Sequence, residues 1–150
     1  MTPSTPFPRK LAAYAAAVFG VACSIAVVLG VVEQPPRLGT LGVFVALVVF
    51  SANRDVILPN GVGVTPSTLI YAAAIVVFVA QDSLLGALTV GAAAAIYRPS
   101  FTRASWGWIP FNAGITALGL VAGAALFRVA GGNPRGDMTR VLPSIVMAAF

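Results

Sequence analysis

Trp106–Gly132, W-G-W-I-P-F-N-A-G-I-T-A-L-G-L-V-A-G-A-A-L-F-R-V-A-G-G, is the stretch whose reading decides the fold. From Ala113 to Phe127 no side chain is charged and Thr116 is the only polar one. Hydrocarbon is therefore a better solvent for this segment than water. Trp106 and Trp108 mark an interface at one end. Pro110 suits a first helical turn, where a missing N–H costs nothing, and Gly131-Gly132 supplies a left-handed stop at the other end. The segment predicts a membrane helix. Within it Gly119 and Gly123 form a G-x-x-x-G pair, which removes bulk from one face and predicts close approach of a neighbouring helix.

The composition extends this reading to the whole chain. Hydrophobic residues make up 59% of its 150 residues, charged residues only 9%, and the mean hydropathy is +0.95. Such values lie far from those of an ordinary water-soluble domain and predict an integral membrane protein of one domain over 11–150, behind a short leader at 1–10. The net charge of +5 comes from basic residues scattered among the loops. No basic run or stripe offers itself to a nucleic acid. The chain has no histidine and a single cysteine, Cys23. Its four carboxylates, Glu33, Asp55, Asp82 and Asp137, stand at the ends of apolar runs, and none shares a helix face with another. Without the commonest general base, a paired acid or a metal-ligand cluster, the chain reads as a non-enzyme with no metal and no cofactor.

Taken in order, the apolar runs predict five membrane helices and the start of a sixth. The leader holds Pro3, Pro6 and Pro8 and is expected to be extended. Leu11 to Val32 is uncharged and long enough for a ~30 Å hydrocarbon core. It exceeds the ~7–15 apolar residues of a signal peptide and is followed by Pro35-Pro36-Arg37 in place of a small-x-small cleavage site. Ala12, Ala16, Gly20 and Ser24 recur along it at spacing four. That stripe serves either packing inside the bundle or the docking of a partner helix. Leu38 to Ala52 is a second, shorter run. Asn60-Gly61, set between two β-prone triplets, predicts a small hairpin or extended loop at 56–65. Thr65 as N-cap with Pro66 at the first position predicts a third helix to Ala80. After a break at Gln81-Asp82-Ser83, where Asp82 or Ser83 can cap, a fourth helix is expected over Leu84 to Tyr97. Val141 to Phe150 reads as the opening of a sixth helix, cut short.

Arginine and lysine counts in alternate loops set the orientation. With the N-terminus in the cytoplasm, Arg9, Lys10, Arg54, Arg98 and Arg103 lie inside, and Arg37, Arg135 and Arg140, with Arg128 near that boundary, lie outside. Arg128 is the one charge embedded in the fifth run. It either snorkels to headgroups or turns inward to pair with Glu33 or Asp82, whose runs end on the same side, and so helps to form an outward-facing site for an anionic ligand.

The V-I-L…V-G-V-T-P-S-T entry to the third helix, the short helical hairpin after it, and P-F-N-A-G-I-T-A-L leading into the fifth helix with Phe127 and Gly131-Gly132 at its end give the chain a resemblance to a known family. It resembles the multi-helix membrane input regions, of vitamin-uptake-like sensor type, of bacterial HD-GYP and GGDEF signalling proteins. Those regions are similar to the substrate-capture (S) components of energy-coupling-factor vitamin transporters. Such components have six helices, and the first carries small residues at spacing four, as Ala12, Ala16 and Gly20 do here. The resemblance implies a multi-pass protein of the bacterial inner membrane that senses a ligand or the bilayer and drives an output domain beyond Phe150. An alternative is capture of a vitamin-like small molecule for uptake, and another is a small structural membrane protein. The partners expected are the lipid bilayer, a small-molecule ligand, and a second copy or a partner membrane subunit.

Overall fold

The computed structural model describes residues 9–54, 56–57, 63–64, 66–96 and 108–132. Among them are five helices: α1 (Arg9–Val32), α2 (Leu38–Ala52), α3 (Ser67–Ala80), α4 (Leu84–Ala93) and α5 (Trp108–Val129). Two two-residue strands, β1 (Val56–Ile57) and β2 (Gly63–Val64), pair antiparallel with Val56 opposite Val64 and Ile57 opposite Gly63. This is the short pairing expected at 56–65, although its Asn60-Gly61 turn lies outside the described residues. The leader up to Pro8, Thr65, Tyr97 and the run from Val141 to Phe150 also lie outside them. The fold is an all-α bundle.

Helix boundaries follow local chemistry. Both α3 and α5 end in the same left-handed motif, in which the second residue past the cap returns a hydrogen bond to the carbonyl five residues earlier. In α5 the left-handed residue is Gly131 at φ 78, with Gly131 N–H donating to Arg128 O (3.1 Å) and Gly132 N–H to Phe127 O (2.9 Å). In α3 it is Asp82 at φ 53, with Asp82 N–H donating to Val79 O (3.1 Å) and Ser83 N–H to Phe78 O (3.0 Å). Pro110 sits in the first turn of α5. Pro66 stands at the N-cap of α3 rather than at its first helical position. α4 stops at Ala93 instead of Tyr97, passing into the turn residues Ala94 and Ala95.

α5 is the centre of the bundle, packed against α1, α3 and α4, and its contact with α4 is the most extensive. Successive helices run antiparallel. The core joins Val48, Ile75, Phe78, Val90, Leu120 and Phe127, with Phe44 tilted against Phe78 at a ring separation of 5.6 Å. Close backbone approach occurs at Gly91 and Gly114. A methyl on Gly91 would lie 2.7 Å from the Cα of Ala117, and one on Gly114 would lie 3.1 Å from the Cα of Phe19. These two positions set the α4–α5 and α1–α5 distances. Gly123 is buried, but Gly119 is exposed and a methyl there would meet no described residue within 4 Å. Four residues on a helix advance about 40° beyond a full turn, and the edge of the buried face passes between the two. Of the expected Gly119–Gly123 pair, Gly123 lies on the buried face of α5 and Gly119 beyond it.

The same drift decides α1. Its inward residues are Ala15 and Ala22, flanked by the partly buried Val18, Ile25 and Leu29, a spacing that alternates three and four and so keeps to one face. Ala12, Ala16, Gly20 and Ser24 are all exposed, and no described residue lies within 4 Å of a methyl built on Gly20. Among the described residues, then, no neighbouring helix packs on that stripe.

The outside of the bundle carries many large apolar side chains. Val27, Val28, Val31, Val32, Leu38, Phe50, Leu69 and Val129 are more than half exposed. Some hydroxyl groups are satisfied within their own helices: Ser24 Oγ donates to Gly20 O (2.9 Å) and Thr89 Oγ1 to Leu85 O (2.8 Å), a way of carrying a polar group without water. By length and composition two helices, α1 and α5, can cross a membrane. Five were expected. At ~1.5 Å per residue α2, α3 and α4, with 15, 14 and 10 residues, fall short of a ~30 Å core.

Candidate functional site

The antiparallel order brings three chain reversals to one end: the C-terminus of α1 with the turn into α2, the α3–α4 turn, and the C-terminus of α5. Each carries a charged residue singled out from the sequence. Arg128 Nη1 donates to Glu33 Oε1 at 3.3 Å and Arg128 Nη2 to Asp82 Oδ1 at 3.5 Å. Of the two expectations for Arg128, the inward pairing is the one adopted, and it engages both carboxylates.

The two pairs differ in quality. The Glu33 side chain is 11% exposed and that of Arg128 31%, whereas that of Asp82 is 83% exposed. Glu33 Oε2 also accepts the backbone N–H of Leu85 at 3.2 Å. Leu85 is the second residue of α4, whose first N–H groups have no partner inside the helix. Ser83, which occupies the N-cap position, makes no capping bond, and its fully buried Oγ has no hydrogen-bond partner among the described residues. Glu33 therefore does from α1 what a capping side chain ordinarily does from within, and the helix dipole of α4 favours the negative charge it brings. One carboxylate joins three helices. Asp82, by contrast, is held in place by its left-handed backbone, and its contact with Arg128 is the long and solvated one.

Around this node lies an open cavity of ≈860 Å³. Val32, Pro35, Val76, Val77 and Ala80 give it an apolar wall, and Glu33, Gln34, Arg37, Gln81, Asp82 and Arg128 a polar one. The backbone N–H of Arg37 donates to Gln81 Oε1 at 3.4 Å and closes the turn against the α3–α4 connection. At the opposite end Asn53 Nδ2 donates to Ile96 O at 3.0 Å, tying α2 to the segment after α4, and the rings of Tyr14, Phe111 and Trp108 meet where α1 and α5 begin.

Arg128, Glu33 and Asp82 are thus brought together, while Ala12, Ala16, Gly20 and Gly119 face outward and Gly123 is buried in α5. Arg37, Gln81 and the Leu85 N–H were not anticipated. Arg37 could have been suggested by its position four residues after Glu33 in a Pro-Pro turn, but a backbone N–H has no sequence signature. No known protein family, curated protein or solved structure matches this chain.

Proposed function

We propose that the chain is a membrane-embedded input module of a bacterial signalling protein, multi-pass in the inner membrane with its N-terminus in the cytoplasm. It reads a small molecule, or the state of the bilayer, at the Glu33–Arg128–Asp82 end and passes a helix shift to a cytoplasmic output domain. The observation that carries this reading is Glu33, which fastens the end of α1 to the start of α4 and, through Arg128, to α5 at the mouth of a cavity. A ligand that competes for Arg128 changes what holds α1, and a clasp with made and unmade states is the kind of element through which binding energy moves a helix. Exposed large apolar side chains on α1, α2, α3 and α5 support the bilayer as its surroundings. The short helices α2–α4 are accommodated by local thinning of the bilayer.

A second reading, substrate capture for uptake, draws on the outward stripe Ala12, Ala16 and Gly20, a face open to a partner membrane subunit. Both readings need the Asp82 end to face away from the cytoplasm. In a Cys23→Ser background, Asp82→Cys should react with a membrane-impermeant maleimide on intact cells, and Arg54→Cys only after permeabilisation. Labelling of both from the same side, or release of the protein by alkaline carbonate, would end the multi-pass reading. Spin labels at Val31 and Val129 then test the clasp: Glu33→Gln should broaden or lengthen their distance distribution. An unchanged distribution would leave a packed bundle without an input function.

A further inference from the structure

The cavity at the Arg128 end has an asymmetry of charge use that bears on what it takes. Both oxygens of Glu33 are committed, one to Leu85 N–H and one to Arg128, so this carboxylate is already compensated. Asp82 touches Arg128 only at 3.5 Å from an 83% exposed side chain, a contact that water and a competing anion readily replace. Arg37 lines the same cavity, and among the described residues its guanidinium has no ion pair or hydrogen bond. The cavity mouth therefore offers one unengaged guanidinium and a second whose outer N–H groups are loosely held. Beside them stands an apolar wall from Val32, Val76, Val77 and Ala80.

We infer that this cavity binds an oxyanion, a phosphate or carboxylate, carried on an apolar body, with the oxyanion between Arg37 and Arg128 and the body along Val76 and Ala80. The inference rests on the proposed reading of the site and specifies its ligand. The anion takes the place of Asp82 on the guanidinium of Arg128, whose planar fork matches two oxygens at once. Glu33 keeps its bond to Leu85 and acts as a positioning residue, not as a contact to the ligand. A neutral apolar molecule would leave Arg37 and Arg128 unused, and a cation would share the cavity with two guanidinium groups. The same chemistry belongs to a free amphiphilic acid and to the headgroup of an anionic lipid.

The test uses the full chain in nanodiscs of phosphatidylcholine, titrated with octyl phosphate, with octyltrimethylammonium as the cationic match and inorganic phosphate for the headgroup alone. Octyl phosphate should bind saturably and more tightly than inorganic phosphate, and octyltrimethylammonium should not bind. Arg37→Gln, at an exposed side chain that nothing in the fold depends on, should weaken octyl phosphate about tenfold. Asp82→Asn should tighten it, because the competing carboxylate is gone, an effect that loss of a merely structural group would not produce. In phosphatidylglycerol nanodiscs, suppression of octyl phosphate binding in an Arg37-dependent manner identifies the lipid headgroup as the occupant, and unchanged binding identifies a free acid. Preference for the cation, or equal affinity of wild type, Arg37→Gln and Asp82→Asn for octyl phosphate, overturns the inference. Correct labelling of Asp82→Cys from outside with either result would show that only the ligand class has failed.

Discussion

Removing the Glu33 carboxylate separates its two tasks. Glu33→Gln keeps an oxygen to accept the Leu85 N–H and deletes the charge that Arg128 meets, whereas Glu33→Ala deletes both. A hydrogen bond to a charged group contributes roughly 1.5–3 kcal/mol. The distances here, 3.2 and 3.3 Å, are longer than the ~2.7–2.9 Å of strong charge-assisted bonds. Arg128, 31% exposed, keeps part of its hydration when the partner is lost. Both considerations bring the Arg128 contact somewhat below that range. Expected losses are about 1 kcal/mol for Glu33→Gln and about 2–3 kcal/mol for Glu33→Ala, the difference being the uncapped N-terminus of α4. Reversible unfolding in mixed dodecylmaltoside–dodecylsulfate micelles, followed by the fluorescence of Trp106 and Trp108, measures both. A double-mutant cycle of Glu33→Gln with Arg128→Gln should give a coupling of ~0.5–1 kcal/mol, and Asp82→Asn with Arg128→Gln less than ~0.5 kcal/mol because Asp82 is solvated. If both Glu33 variants unfolded like wild type, or if the Asp82 pair coupled as strongly as the Glu33 pair, the three-helix clasp would be refuted.

Gly91→Val should cost about 1–3 kcal/mol or prevent folding, since the added atoms run into the backbone of Ala117. Gly119→Ala should be neutral or stabilise by up to ~1 kcal/mol, as it fills open space on a helix; thermal unfolding in detergent compares the pair, and the reverse ranking would mean that α5 is rotated. Gly131→Ala, at φ 78, should lose about 1 kcal/mol by the same assay, while Asp82→Gly, at φ 53, should lose nothing, because glycine relieves a left-handed side chain. Gly20→Leu should leave the melting of the isolated chain unchanged, since a Cβ there meets no described residue within 4 Å, and any loss of a co-purifying oligomer or subunit by size-exclusion chromatography would report an interface on that face.

Much of the fold was legible because each helix carries its own boundary signals. The limits of α2 coincide with those of the apolar run Leu38 to Ala52, and Gly131 forms the expected left-handed stop. Patterns of period four were less legible, since G-x-x-x-G and small-x-x-x-small describe a stripe that winds around the helix. Whether Gly119 or Ala16 meets a neighbour depends on where that neighbour lies, and α5 instead receives α4 at Ala117 and α1 at Gly114.

From local chemistry alone this sequence determines that its helices are strongly apolar, roughly where most of them start and stop, and the end of the bundle at which Glu33, Asp82 and Arg128 gather, since antiparallel helices return every second reversal to the same side. Tertiary packing decides what those groups do there. Only the assembled bundle sets Leu85 N–H against Glu33, leaves Asp82 in water, and turns Arg37 toward the same cavity. The physical reason is that a cap supplied by another helix, and a methyl-sized gap between two backbones, are properties of pairs of segments far apart in the chain. No single segment encodes its own neighbour.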